Sequence, residues 1–400
     1  MVKNASALSE AGYRVHVVAG RYSRPLDALD REIHSGAAWA HTEADSRGGP
    51  GAAARKLIRR MLRAWARGKT KIPVRLAARI QHAEALHLAA LAARVPAQFY
   101  LGHCLPGLPA AAFAAHARGV PYGFDAEDFH DAETEEAIQD PVEAAARRTI
   151  QSALLPGCAH LTAASPLIGR RYEEAYGVKP ATILNVFPLA EAPAAPVDPG
   201  PVGADRPARI YWFSQTTGRG RGLESVVATL ARMRTPTELH LRGFASADTV
   251  SRLESLRRTS GLARPIVFHA QGQAAEMARL AAAFDLGLST EESQPLNRDI
   301  CLTNKIFTYL LAGIPQLLSR TTAQAALAPE IGEAAILCDL GESGKTARRL
   351  DEFFADPGRV ARARRAAWDA ARNRFCWDIE KGKFLDSIRR NLPVGAGRDI

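Results

Sequence analysis

The chain has little cysteine, and none of it sits close enough to another to suggest a metal clip. Cys104, Cys158, Cys301, Cys338 and Cys376 are widely spread over 400 residues, odd in number and without a C-x-x-C motif. That argues against a disulfide framework or a zinc site and for reduced thiols in the cytoplasm. The N-terminus, MVKNASALSEAGY, has no apolar stretch behind a basic start, so no secretory signal is expected. Long hydrophobic runs are missing too. The longest uncharged run, Val95 to Ala117, reaches 23 residues, yet it contains Pro96, Pro106, Pro109, Gly102, Gly107, His103 and His116. Those residues predict a strand, a turn and a helix rather than a membrane span.

Acidic residues are absent between Ser46 and Ala83, where eleven Lys and Arg occur: Arg47, Arg55, Lys56, Arg59, Arg60, Arg63, Arg67, Lys69, Lys71, Arg75 and Arg79. Set those eleven aside and the 52 basic residues fall to 41, against 42 acidic ones, so the net charge of +10 belongs to one segment. What remains is ordinary globular composition, with 47% apolar and 24% charged residues, which excludes a wholly disordered chain. The length predicts two or three domains, two being the commoner outcome.

Short apolar runs alternate with Ala-rich helical patterns. Strands are predicted at Val15–Ala19, Gln98–Gly102, Tyr122–Asp125, His160–Ala163 and Thr182–Asn185, then at Arg209–Phe213, Glu238–Arg242, Pro265–His269, Leu286–Ser289, Gln316–Ser319 and Ala335–Cys338. Helices are predicted between them, including Leu223–Arg234, Ala274–Ala283, Asn304–Ala312 and Lys345–Ala355. This alternation is the signature of parallel α/β layers. Residues 190–207 interrupt it with five prolines and read as an interdomain linker. The expected domains are 1–189 and 208–372, followed by a C-terminal segment, 373–400. The chain opens in helix (Lys3–Ala11) rather than in a strand, so a first strand is expected upstream of Met1.

Three regions can carry chemistry. Ser214 to Gly222, including Gln215, Gly218, Arg219, Gly220 and Arg221, runs from a strand straight into a helix. Glycines allow close backbone approach, a helix start offers free N–H groups, and the arginines add charge, which suits a diphosphate as well as it suits a plain flexible turn. After Leu286–Ser289 come Glu291 and then Thr303, Asn304, Lys305 and Thr308. Thr303 is the expected N-cap, which leaves Lys305 in the first turn, unfavourable to the helix dipole unless an anion offsets it. The alternative is a Lys305 that merely reaches solvent. The third region holds seven acids between Asp125 and Glu136. Asp125 and Glu127 share a face if the strand continues, and Asp128 and His130 follow; a general base, hydroxyl contacts or a metal all fit, as does a solvated helix start. His103, at the end of Gln98–Gly102, is a fourth point, and Cys104 beside it reads as packing.

These motifs, in this order, resemble glycosyltransferase family 4, whose members have the two-domain GT-B fold. The resemblance runs from Val2 to about Arg390. SALSEAGYRVHVVA, FYLGHCLPGLPAAAFAA and GVPYGFDAEDFH resemble the N-terminal half; IYWFSQTTGRGRGLESVV, NKIFTYLLAGIPQLLS and RFCWDIEKGKFLDSI resemble the donor loop, the donor helix and the helix that crosses back. Gln215 stands where many members have Arg, Glu127 where they have an acceptor-site His, and Thr308 where many have the Glu that grips the nucleotide ribose.

The resemblance implies two doubly wound domains facing across a cleft and transfer of a sugar from a nucleotide-sugar donor to a glycan or lipid-linked acceptor. It implies retention of anomeric configuration, a role in cell-surface polysaccharide synthesis, and no metal or other cofactor. It assigns Asp125, Glu127 and His103 to catalysis and Asp128 and His130 to the acceptor. To the donor it assigns Gln215, Gly218, Gly220, Arg221, Gly222, Glu291, Asn304, Lys305 and Thr308. Two rivals share the fold: a glycan- or nucleotide-binding protein without turnover, and a nucleotide-sugar epimerase.

The basic segment adds one expectation. In Arg55–Arg67 the residues Leu57, Ile58, Met61, Leu62 and Trp65 follow helical spacing while Arg59, Arg60 and Arg63 take the other positions. A helix of that kind can lie on the anionic inner face of a membrane through residues 55–79, or pack its apolar face on the core with the arginines in solvent. Nucleic acid is disfavoured for want of interleaved aromatics.

Overall fold

A computed structural model describes residues 1–22 and 27–392. The last part of the expected C-terminal segment, 393–400, lies outside the described residues. The chain divides into two compact units: residues 1–183 with 381–400, and 184–380. All the strands are parallel and, in the second unit, match the short branched runs closely, because strands buried on both faces are apolar along their whole length.

In the first unit, β1 (His16–Arg21) pairs with β2 (Ala40–Asp45) in a two-stranded sheet. A second sheet holds β3 (Tyr100–His103), β4 (Tyr122–Ala126), β5 (His160–Ala163) and β6 (Ala181–Thr182) in chain order. No ladder joins the two sheets among the described residues. The uncharged run folds into β3 and, with no intervening turn, the helix Cys104–Arg118. No helix of the described residues is long and apolar enough to cross a membrane. Phe124, Ile150, Ile80 and Leu108 are fully buried in this unit's core.

In the second unit, β7 (Ala208–Thr216), β8 (Thr237–Phe244), β9 (Val267–His269), β10 (Leu286–Ser289), β11 (Gln316–Ser319) and β12 (Ala335–Cys338) form one sheet. Its order is β12-β11-β10-β7-β8-β9, the doubly wound order with its reversal between β7 and β10. Trp212, Leu286, Leu288 and Leu317 fill one face of this sheet. The helix Asn304–Ala312 stops where Gly313 adopts φ 68° and closes its last carbonyls.

Residues 190–207 belong to the second unit, whose division from the first falls earlier, between Ile183 and Leu184. Buried Arg364 pins the stretch, donating to the Val197 carbonyl at 2.7 and 3.0 Å and to the Phe284 carbonyl at 2.9 Å. Arg279 holds the Ala190 carbonyl at 2.7 Å, and Arg206 meets buried Asp285 at 2.6 Å. Prolines remove donors but leave carbonyls free, and three arginines from folded elements or the stretch itself use that chemistry. The helix Trp377–Asn391 starts within the second unit and ends within the first.

Candidate functional site

In open α/β sheets the crevice beyond the strand carboxyl ends, at the reversal of strand order, is the place where ligands bind. In the second unit two loops meet there. The loop after β7 touches the loop after β10 through Gly222, whose φ of 68° is unfavourable to any side chain. A Cβ at Gly222 would lie 2.1 Å from the Thr290 carbonyl oxygen. Thr290 Oγ1 in turn donates to the Arg221 carbonyl at 3.3 Å. Arg298, from the helix Leu296–Ile300, donates to the carbonyls of Gly220 and Gln294, each at 2.8 Å. The carbonyls of Gly220 and Arg221 are therefore tied down. Among the described residues no acceptor meets the amides of Gly218, Arg219, Gly220, Arg221 and Gly222. The helix Leu223–Leu230 begins immediately after them, with no side-chain cap. Arg219 is exposed and Arg221 half-buried, and neither pairs with a carboxylate among the described residues. Free amides, an uncapped helix start and two arginines without a carboxylate partner are features whose chemistry suits an anion.

Lys305 completes this region differently from expectation. It does not reach solvent: its side chain is 9% exposed, and its Nζ lies 2.6 Å from Glu291 Oε1, itself 2% exposed. The anion that offsets the cation in the first helical turn is thus part of the protein. Lys305 also lies 5.8 Å from the centre of the Trp212 ring. Thr303 occupies the N-cap position, but its hydroxyl bonds Ser289 Oγ at 3.1 Å instead of capping. Thr308 is buried, with its hydroxyl donated to the Asn304 carbonyl at 3.0 Å. That turns it into the helix rather than toward a ligand. Asn304 and Gln215 are exposed, and the Gln215 carbonyl accepts from Gln271 at 2.7 Å.

The first unit gathers a second group at the carboxyl ends of β3, β4 and β5. Register sets His103 beside Asp125, and Asp125 beside Thr162. His103 Nδ1 lies 3.2 Å from Asp125 Oδ2, Thr162 donates to Oδ1 at 2.7 Å, and Asn4 donates to Oδ2 at 3.2 Å. Burial pushes the Asp125 carboxyl up, but the hydrogen bond and charge of His103 and the Thr162 hydroxyl outweigh it and hold the group down at about 2. Asp125 is therefore ionised across the physiological range and places a negative charge 3.2 Å from the imidazole. Asn4, on the helix Val2–Glu10, is a partner that no sequence signal announced, since it lies 121 residues from Asp125.

Glu127 joins this group. Ligand atoms of His103, Asp125 and Glu127 all lie within 4.8 Å of one another, a spacing that could take a cation, although both Asp125 oxygens already accept from protein donors. Cys104 follows His103 with a φ of 56°, the one non-glycine residue in the left-handed region among those described. Its side chain is exposed rather than packed, and desolvation by its surroundings, then the Glu127 charge, pushes its thiol up to about 11, so it rests protonated near neutral pH. Asp128 is half-buried, and its carbonyl accepts from Tyr172 at 2.9 Å. His130 is not brought to the group. It is buried, pairs with Glu133 at 2.6 Å and packs 5.9 Å from the Phe124 ring centre.

Several solved structures share this architecture. Anabaena HepE in complex with UDP and glucose is 15% identical with a TM-score of 0.70, over 97% of this chain and 94% of that one. Sucrose-phosphate synthase from Thermosynechococcus elongatus is 15% identical with a TM-score of 0.67, over 97% and 91%. An α,α-trehalose-phosphate synthase (UDP-forming) from Burkholderia vietnamiensis is 14% identical with a TM-score of 0.59, over 94% and 100%. No family model matches the chain, and no curated protein sequence does. At such identities the likeness establishes the fold, which is GT-B.

Proposed function

We propose that this GT-B chain is a glycosyltransferase of family 4 that moves a sugar from a nucleotide-sugar donor to a glycan or lipid-linked acceptor. The observation that carries the reading is the run of five free amides with unpaired Arg219 and Arg221, at the switch point of the second unit. A diphosphate leaving group gathers negative charge as the glycosidic bond breaks. Donors fixed in advance stabilise that charge without reorganisation. Because guanidinium groups and amides meet the charge, the reaction is proposed to need no metal. The UDP bound in HepE is the model for the donor's nucleotide.

In the first unit, His103 held by Asp125 and flanked by Glu127 supplies groups that can orient an acceptor hydroxyl and receive its proton. Retention of configuration, a hexosyl donor, a cytoplasmic setting and a role in surface polysaccharide synthesis belong to the same proposal; the five free cysteines fit the setting. The test is calorimetric titration with UDP. Arg221→Ala should weaken binding by roughly 1.5–3 kcal/mol, the scale of one charge-assisted contact. Unchanged affinity in a folded variant would remove the loop from the site.

A further inference from the structure

The helix Pro50–Ala66 is folded with its charge inward and its oil outward. Arg55 pairs with Glu84 at 2.6 Å, a carboxylate 2% exposed. Arg59 reaches the Ile80 carbonyl at 2.7 Å and Glu143 at 3.2 Å. Arg63 meets Glu143 and Asp140, each at 2.5 Å. These three arginines recur at four-residue spacing, so they form one stripe, and Ala52 and Ala66 are buried on the same helix. The partners come from distant parts of the first unit and over-determine which way the helix faces.

The opposite stripe is left uncovered: Leu57 is 58% exposed, Met61 64%, Trp65 45% and Ile58 42%. A patch of large apolar side chains at helical spacing is unusual on a soluble surface. Lys56 and Arg60 flank it one helical turn apart, and Lys69 sits 4.6 Å over the Trp65 ring. None of these cations meets a carboxylate among the described residues, and no acid lies between positions 46 and 83 to neutralise them.

We infer that this outward face is a docking surface for an anionic lipid bilayer, with Leu57, Ile58, Met61 and Trp65 entering the headgroup boundary and Lys56, Arg60 and Lys69 meeting lipid phosphates. The arrangement corrects the expected one, in which Arg59 and Arg63 formed the polar face in contact with water or lipid. An isologous contact with a second copy would set these same cations against one another. Nucleic acid offers phosphates but no partner for three exposed aliphatic side chains. Only a surface that is both anionic and apolar complements both halves of the patch. The inference is independent of the donor reading, because lipid binding needs neither donor nor acceptor.

The experiment is co-sedimentation of the full chain with vesicles of phosphatidylcholine alone or mixed equally with phosphatidylglycerol. Trp65 is the reporter: Trp39, Trp212, Trp368 and Trp377 are all buried. Binding is expected to the mixed vesicles only, with a blue shift and with quenching by bromine-labelled acyl chains. The exposed-site variants L57Q/M61Q and K56E/R60E should each lower partitioning by about tenfold or more, since each removes one of the two attractions. Circular dichroism confirms that both remain folded. Absence of wild-type binding would overturn the inference, as would binding that both variants retain. So would a concentration-dependent dimer abolished by L57Q/M61Q, or binding to duplex DNA alone that K56E/R60E abolishes and L57Q/M61Q does not.

Discussion

Replacing Glu291 by Gln isolates the role of the buried pair beside the glycine loop. In the native protein an ammonium 9% exposed is balanced by a carboxylate 2.6 Å away that is 2% exposed. The variant keeps the shape and leaves Lys305 with no counter-charge. Breaking a buried pair from one side costs about 3–5 kcal/mol, whereas removing both charges together is close to neutral. Glu291→Gln should therefore lose about that much local stability, and adding Lys305→Met should restore most of it. Hydrogen exchange of β10 and of the helix Asn304–Ala312 reads the effect where it arises, without assuming that both units unfold together.

A diphosphate within reach of Lys305 would supply the missing negative charge. UDP should thus protect Glu291→Gln more strongly than it protects the native protein. Lys305→Met should weaken UDP binding by roughly ten- to a hundredfold, as expected for one charge-assisted contact. Native-like exchange in Glu291→Gln would refute the buried-pair argument. Native UDP affinity in Lys305→Met would leave Lys305 a structural residue with no part in the donor site.

Two more predictions follow from the backbone and from burial. Gly222→Ala should cost about 2–4 kcal/mol and abolish UDP binding, because its φ of 68° and a 2.1 Å approach to Thr290 leave no room for a methyl group. Gly218→Ala, with nothing within 4 Å, should unfold within about 0.5 kcal/mol of the native protein in the same denaturant titration. Burial, outweighing the nearby Asp125 charge, pushes the His160 imidazole down to about 4 from its ordinary 6.5, while its Nδ1 engages Ser387 at 2.9 Å. The unfolded chain takes up the proton first, so the contribution is full above pH 6.5 and is lost as pH falls toward 4, by about 3 kcal/mol at the end. Urea midpoints should fall across that window and fall less in His160→Gln; parallel profiles would refute the assignment.

How far the sequence could be read depended on the range of the interactions involved. His160–Ala163, Leu286–Ser289, Gln316–Ser319, Ala335–Cys338 and Asn304–Ala312 have the bounds expected of them, since fully buried parallel strands and a glycine stop are local signals. The strand β2, AHTEAD, escaped because its pairing with β1 is made by a polar, half-exposed sequence without an apolar run. Helical spacing displayed both stripes of Pro50–Ala66 but not which one faced the protein. That was decided by Glu84, Asp140 and Glu143, whose proximity only the fold creates. The same holds for the site: the glycine loop was legible as a loop, while Arg298 bracing Gly220, Glu291 neutralising Lys305 and Asn4 reaching Asp125 are products of tertiary contact.

The most direct test of the account is nucleotide release in the presence and absence of an acceptor. The native chain would be incubated with a panel of UDP-, GDP- and ADP-sugars, with and without a membrane lipid extract and a chelator. Nucleoside diphosphate release is expected to require the extract, survive the chelator and yield a glycosylated product. Glu127→Gln should keep donor affinity and release nucleotide ~10²-fold more slowly, if removal of the acceptor proton is its role. Nucleotide binding without release would instead mark a binding protein, and an altered sugar nucleotide formed without acceptor would mark an epimerase; either result would contradict glycosyl transfer.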